Sequence, residues 1–132
     1  MRFFRTVHAH CDIPCGIYDP EQARIEAESC LKIIQKYHAS DDEVFRARCI
    51  GVKEERAELA KHHIDVLWSD YYKPEKHDGD HPDIASIFKQ AASACSDVKR
   101  TVDEAAATKL LGLIDQIDSF WKATNGPADT RV

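Results

Sequence analysis

The sequence predicts an all-α fold, an antiparallel up-and-down four-helix bundle in a single domain. Apolar residues recur every three or four positions in four segments of the 132-residue chain. No segment sustains the alternation of apolar and polar residues that is typical of a β-strand. Proline, glycine and aspartate are concentrated in short stretches between the four segments, and short connections favour antiparallel neighbours in a bundle.

The first helix is predicted to run from about Pro20 to His38. Asp19 can cap a helix that begins at Pro20, and Gln22 is placed to complete a capping box. Its buried face is expected to comprise Ala23, Ala27, Cys30, Ile34 and Tyr37.

The second helix is expected to be the longest, because one apolar stripe continues for about six turns after the capping residues 40–42. Gly51 interrupts it, at a cost of about 1 kcal/mol relative to alanine. The stripe predicted to be buried comprises Phe45, Cys49, Val52, Arg56, Leu59, His63 and Val66.

Two further helices complete the predicted bundle after a connecting loop at residues 73–82, which is rich in charge and helix breakers. A short third helix carries the stripe Ile84, Ile87, Phe88, Ala91 and Cys95. The fourth helix is expected to begin with a capping box of Thr101 and Glu104 and to end before residues 125–127. Its buried face is predicted to be Leu110, Leu113, Ile114, Ile117 and Trp121.

Composition argues against several classes of protein. The net charge is -5 and no long basic run occurs, so nucleic-acid binding is not expected. No apolar run approaches the roughly 20 residues that cross a bilayer, and residues 1–9 lack the apolar centre of a secretory signal. Five cysteines form an odd set, which favours a reducing compartment, the cytoplasm, over a disulfide scaffold.

The chemistry is predicted to lie at residues 10–18, ahead of the first helix, where His10, Cys11 and Cys15 are close together. Thiolate and imidazole donors suit a soft transition metal rather than calcium or magnesium. A structural zinc site would need a second ligand pair, and the adjacent residues His62 and His63 point about 100° apart on a helix. From spacing alone, two ordinary cysteines remain the more common explanation.

The whole string His-Cys-Asp-Ile-Pro-Cys-Gly-Ile-Tyr at residues 10–18 closely resembles the nickel-binding hook of nickel superoxide dismutases, with isoleucine where leucine is usual. The resemblance continues through most of the chain. Tyr72 stands where phenylalanine is common, and the stretch after His77 is the least similar. The matching segments are residues 19–29, 44–46, 53–59, 61–63, 67–68 and 70–74.

The resemblance implies a precursor in which residues 1–9 are a propeptide that a protease removes, leaving a single domain of residues 10–132. Residues 10–18 would form the hook and residues 19–125 the bundle. Each subunit of a homohexamer would bind one nickel ion, cycling between Ni2+ and Ni3+. The ligands would be the amino group and imidazole of His10, the amide and thiolate of Cys11, and the thiolate of Cys15. The implied reaction converts superoxide to oxygen and hydrogen peroxide, as antioxidant defence.

The resemblance also assigns residues around the ligands. Tyr18 and Tyr71 would line the approach to the metal as the catalytic residues, and Lys73 would steer superoxide near its mouth. Asp12 and Pro14 would shape the hook, Pro14 through a cis bond and Gly16 through close backbone approach.

Glu26 and Arg56 would lie behind the His10 imidazole, the carboxylate holding the ring and the guanidinium orienting the carboxylate. A purely structural ion pair is the alternative explanation for these two residues.

Two rival hypotheses remain at this stage. One is a non-enzymatic helical bundle that binds zinc or senses redox state through Cys11 and Cys15. The other is a purely structural interaction bundle. Only the enzyme requires a mature chain that begins at His10. The remaining thiols match no ligand of the family and are expected to fill the core; they are Cys30, Cys49 and Cys95.

Overall fold

The computed structural model describes residues 16–124 and residue 126, and this part of the chain is helical, with no strand in it. None of its helices is long and apolar enough to cross a membrane. The elements in chain order are α1 (Glu21–His38), α2 (Glu43–Val66), a π-helical turn (Leu67–Tyr71), α3 (Pro74–His77), α4 (Ile84–Arg100) and α5 (Glu104–Ala123).

The four long helices form a closed ring in which α1 packs on α2, α2 on α4, α4 on α5, and α5 on α1. Short connections at residues 39–42 and 101–103 make the joined helices antiparallel. The predicted up-and-down bundle is confirmed. The prediction that residues 73–82 form a loop was wrong in one respect, because this stretch contains the single helical turn α3. The third long helix is also longer than predicted, extending to Arg100.

Aspartate side chains cap the starts of three of the long helices. The carboxylates of Asp19, Asp42 and Asp103 accept the amides two residues ahead, at 2.9 Å, 3.0 Å and 2.9 Å. The predicted Thr101–Glu104 capping box is therefore wrong. Thr101 lies in extended backbone, and its hydroxyl donates to the carbonyl of Asp97 at 2.8 Å, which closes the last turn of α4.

The buried face of α2 differs from the predicted stripe by about one position. Phe45 and Val52 are 37% and 41% exposed, whereas the inner face carries small residues that let the neighbouring helices approach closely. Periodicity identified the helix but not the side that faces the core. The residues of α2 that are buried are Cys49, Lys53, Ala57, Ala60, Ile64 and Val66.

Lys53 is buried on α2, with 2% of its surface exposed. Its ammonium group donates to the carbonyl oxygens of Val98 and Lys99 at 2.7 Å and 2.6 Å. These carbonyls belong to the last turn of α4, where no backbone amide is available to bind them. Burial lowers the pKa of Lys53, and the two hydrogen bonds compensate for the loss of hydration.

One end of the bundle gathers the elements that position the predicted site. Because adjacent helices are antiparallel, the starts of α1 and α4 lie beside the ends of α2 and α5. The π-helical turn and α3 connect α2 to α4 at this same end. The segment that precedes α1 therefore joins the bundle beside the π-helical turn.

Candidate metal centre

The predicted ligands His10, Cys11 and Cys15 lie outside the described residues, as do Asp12 and Pro14. The first described residue is Gly16, whose φ of 73° lies in the left-handed region that glycine adopts at little cost. No described atom lies within 4 Å of the position that a Cβ would occupy there. The positive φ accounts for a glycine here, and the predicted close backbone approach stays a prediction.

The segment joins the bundle between the start of α1 and the end of α2. Tyr18 is half-buried and packs against the hydrophobic core. A small cavity lies where the segment meets the two helices. It is lined by Ile17, Tyr18, Asp19, Gln22, His63, Val66 and Leu67.

The structure brings together the two tyrosines that were predicted to line the approach. The rings of Tyr18 and Tyr71 lie 6.0 Å apart between centroids, tilted by 56°. The hydroxyl oxygen of Tyr71 lies 2.6 Å from Oγ1 of Thr124. Because the Thr124 hydroxyl donates to the carbonyl of Phe120 at 2.8 Å, Tyr71 is the donor to Thr124. Tyr71 is thus held between the segment before α1 and the end of α5.

The structure also brings Glu26 of α1 to Arg56 of α2. Nη1 of Arg56 donates to both carboxylate oxygens, at 3.1 Å and 3.2 Å. The Glu26 side chain is 12% exposed and that of Arg56 is 36% exposed. Nε of Arg56 is buried and has no hydrogen-bond partner among the described residues. The pair therefore retains one buried donor without a partner in the described part of the protein.

Lys73 follows the π-helical turn and has an exposed side chain at the same end of the bundle. Its backbone amide donates to Nδ1 of His77 at 3.0 Å. Extended backbone at Lys73 separates the π-helical turn from α3. The main chain of Lys73, the residue predicted to steer substrate, is therefore hydrogen-bonded to the side chain of His77.

Sequence reasoning missed the aromatic cluster around His77. This imidazole is 4% exposed and lies nearly parallel to the rings of Tyr71 and Tyr72, with centroids 5.6 Å and 6.0 Å away. Tyr72 donates a hydrogen bond to the carboxylate of Asp78. The sequence offered one sign of this arrangement. His77 follows Lys73 by four residues, so its imidazole can accept the Lys73 amide, which has no partner within the helix that begins there.

Three cysteines in the described part of the chain are free thiols in the interior. Burial raises the pKa of Cys30 to about 11 and that of Cys95 to about 12, so neither is a ready thiolate. Together with Cys49 they occupy core positions, as predicted. Among residues 16–124 and 126, no group of three or more His, Cys, Asp or Glu side chains could hold a metal ion.

Comparison with known proteins covers nearly the whole chain. A model of the family described as nickel-containing superoxide dismutase matches residues 5–125. The superoxide dismutase [Ni] of Streptomyces seoulensis is 52% identical over 117 residues, covering 88% of each chain. The enzyme of the same name from Streptomyces coelicolor is 49% identical over 118 residues, covering 89% of each.

A solved structure is similar in fold as well as in sequence. It is a crystal structure of a Ni-containing superoxide dismutase with the nickel ligation of the oxidised state. It superimposes with a TM-score of 0.84 at 50% identity, covering 89% of this chain and 99% of the solved one.

Proposed function

The chain belongs to the nickel-containing superoxide dismutase family, and we propose that residues 10–18 form its nickel-binding hook after residues 1–9 are removed. It is a nickel-dependent superoxide dismutase, an oxidoreductase that converts superoxide to oxygen and hydrogen peroxide. The observation that carries this function is the family match over residues 5–125, which spans both the hook and the bundle.

Three solved relatives support cleavage before His10. They are variants in which a first-position histidine and a third-position aspartate were changed to alanine, and a ninth-position tyrosine to phenylalanine. His10, Asp12 and Tyr18 have the same spacing in this chain. Their correspondence supports the proposal that His10 is the first residue of the mature protein and that residues 10–132 are the mature domain.

Removal of residues 1–9 would create a ligand. A free α-amino group has a reference pKa of about 7.7 to 8.0, so a metal can displace its proton near neutral pH, which an ordinary internal amide does not permit. We assign the nickel ligands to the amino and imidazole nitrogens of His10, the amide nitrogen and thiolate of Cys11, and the thiolate of Cys15. Nickel bound by these nitrogen and sulfur donors supplies the one-electron redox chemistry of the reaction.

The described residues suit such a site. Glu26 can accept a hydrogen bond from the His10 imidazole while Arg56 orients its carboxylate, and the buried Nε of Arg56 offers a further donor. Tyr18 and Tyr71 meet where the hook segment joins the bundle, and we assign them to the approach that substrate follows. Outside the described residues, Asp12 and Pro14 are proposed to shape the loop that carries the thiolates.

Lys73 is proposed to steer superoxide. The chain carries a net charge of -5, which repels an anionic substrate at long range. Residues 1–9 include two arginines, so their removal makes the mature protein more acidic. A local positive charge near the hook end would counter this repulsion and raise the rate of encounter.

Assembly into a homohexamer is proposed from the apolar surface that one chain leaves exposed on α1 and α2, described below. A cytoplasmic location is proposed from the three buried free thiols, because cysteines persist as thiols in reducing compartments. The processing protease would act before or during metal loading, since it exposes the His10 amino group.

The decisive experiment is intact-mass and nickel analysis of protein purified with its own processing machinery. We expect a chain that begins at His10, holds one nickel per subunit and dismutates superoxide. Replacing Cys11 with serine should abolish both nickel binding and activity, whereas the matched control Cys49→Ala should retain both. A chain beginning at Met1 with stoichiometric nickel and full activity would refute the proposed ligation by the amino group.

The zinc-binding or redox-sensing alternative is not favoured, because the family and the named relatives are nickel superoxide dismutases. It would also place metal or disulfide chemistry at Cys11 and Cys15 with residues 1–9 still attached. The mass measurement distinguishes the two hypotheses directly.

A further inference from the structure

The imidazole of His77 contacts two of the residues assigned to the substrate approach. Its ring lies 5.6 Å from that of Tyr71, at an interplanar angle of 20°. Its Nδ1 accepts the backbone amide of Lys73 at 3.0 Å. A single buried side chain therefore links the approach tyrosine to the residue that carries the steering charge.

Packing on several sides fixes this imidazole. It lies nearly parallel to the ring of Tyr72, and the edge of Phe120 meets it at 5.0 Å and 86°. The hydrogen bond of Tyr72 to Asp78 ties the following turn to the same cluster. Because interiors of this density resist movement, the position of Nδ1 relative to Tyr71 is well defined.

The hydrogen bond from Lys73 also defines the protonation of the ring. Nδ1 can accept the amide only when it carries no proton, so the neutral ring holds its proton on Nε2. Burial, followed by repulsion from Lys76 and His81, lowers the pKa of His77. The acceptor at Nδ1 is therefore maintained at neutral pH.

We propose that His77 is a positioning residue that anchors the main chain of Lys73 against Tyr71, so that the side chain with the steering charge projects from a fixed point beside the substrate approach. This inference rests on the proposed function for the role of Lys73. The anchoring itself is independent of that role and can be measured separately. Lys73 lies in extended backbone between two helical segments, and in the described part of the chain its amide donates to Nδ1 of His77.

Two substitutions test the aromatic ring of His77 and its hydrogen-bond acceptor separately. His77→Phe keeps an aromatic ring in the cluster but removes the acceptor for the Lys73 amide. His77→Asn supplies an oxygen acceptor the same number of bonds from the main chain as Nδ1 but removes the ring. The matched control is His81→Phe, because His81 also meets the ring of Phe120, at 5.1 Å, and accepts nothing from Lys73.

The first measurement is hydrogen exchange at the Lys73 amide in the mature full chain. We expect exchange about tenfold faster or more in His77→Phe, because opening no longer has to break a bond. His77→Asn should restore protection, and His81→Phe should leave it unchanged. Unchanged exchange in His77→Phe, or no restoration in His77→Asn, would overturn the anchor.

The second measurement is the second-order rate constant for superoxide per bound nickel, as a function of ionic strength. At low ionic strength we expect His77→Phe to lose about two- to fivefold and to show a flatter salt dependence, as a displaced charge steers less well. His77→Asn should stay closer to the parent protein. A loss of stability alone would not flatten the salt dependence.

Lys73→Ala and the double variant with His77→Phe complete the test. If His77 acts through Lys73, the double variant should have the same rate constant and salt dependence as Lys73→Ala, because the effects of changing two interacting residues are not additive. If Lys73→Ala leaves the salt dependence unchanged, the proposed steering role fails, and the exchange experiment alone decides the anchor. If Lys73→Ala flattens it while His77→Phe does not, the inference about His77 fails and the proposed function stands.

Discussion

At the residue scale, charges that the fold buries are matched to specific partners. Glu26, whose side chain is 12% exposed, receives both hydrogen bonds from one nitrogen of Arg56. Lys53 reaches two carbonyl oxygens at the end of α4. A partly buried charge that loses its partner keeps its desolvation cost and loses the compensating attraction. Removing one partner should therefore lower the free energy of unfolding more when the remaining charge is more deeply buried.

Arg56→Met tests this relation. We expect the substitution to lower the free energy of unfolding by about 1 to 2 kcal/mol, because it removes the guanidinium partner of the Glu26 carboxylate between α1 and α2. Urea denaturation of the mature protein measures the change. Arg24→Met is the matched control. Arg24 pairs with Asp115, whose side chain is 63% exposed, so a loss below about 1 kcal/mol is expected. Equal losses in the two variants would contradict the argument.

At the element scale, the connection between α2 and α4 is an ordered structure held at several points. The amide of Tyr72 donates to the carbonyl of Leu67 at 2.9 Å, which closes the π-helical turn. The Tyr72 hydroxyl donates to Asp78 immediately after α3. This side chain therefore joins the π-helical turn to α3, and both elements are kept at the end of the bundle where the segment before α1 begins.

The Tyr72 hydrogen bond predicts a pH dependence. The bond to Asp78, together with burial, raises the pKa of Tyr72 to about 12 from an ordinary value near 10. A raised pKa favours the protonated hydroxyl in the folded state. The resulting stabilisation is complete below about pH 10 and is lost as the pH rises towards 12.

We expect Tyr72→Phe to abolish this part of the alkaline loss of stability, measured by urea denaturation at about pH 9 and about pH 11.5. Tyr37→Phe is the control, since Tyr37 lies on α1 away from α3 and contacts Arg46. Its alkaline loss should equal that of the parent protein. The same alkaline loss in Tyr72→Phe would exclude the proposed contribution of the hydrogen bond.

At the scale of the whole molecule, one chain exposes an apolar surface on α1 and α2. A groove of about 490 Å³ lies between these helices and includes Ile25, Ile33 and Val52 in its lining. Ile25 is 52% exposed and Val52 is 41% exposed. The lining also holds charged side chains, among them Lys32 and Arg56. Apolar residues rimmed by polar ones are typical of surfaces that contact another protein. This surface, which we call the α1–α2 face, is where we expect subunits of the proposed hexamer to meet.

The double variant Ile25→Lys with Val52→Lys tests the assembly. We expect multi-angle light scattering to give six times the chain mass for the mature parent protein and a smaller assembly for the variant. Placing two charges in an apolar interface leaves them desolvated and unpaired. Gln90→Lys, an exposed position on α4, should keep the parent mass. A hexameric double variant would exclude the α1–α2 face, and a monomeric parent would exclude the hexamer.

The sequence by itself determined the helices and the family, and the set of metal donors at residues 10–18 is proposed from it. Apolar spacing located the four long helices, and a single nine-residue string at residues 10–18 pointed to the family that the comparisons confirm. These features are local, since helical periodicity, aspartate capping and the order of donor residues are all written within a few turns of chain.

Only the tertiary structure decided which face of α2 is buried and which distant side chains meet. Hydropathy cannot distinguish an apolar residue in the core from one on an exposed face, so the predicted stripe includes Val52, which is 41% exposed, and omits the buried Lys53. The contacts of Tyr18 with Tyr71 and of His77 with Tyr71 and Lys73 depend on how a π-helical turn and one turn of α3 fold back onto the bundle. Packing between helices sets these contacts, and no local pattern of residues records them.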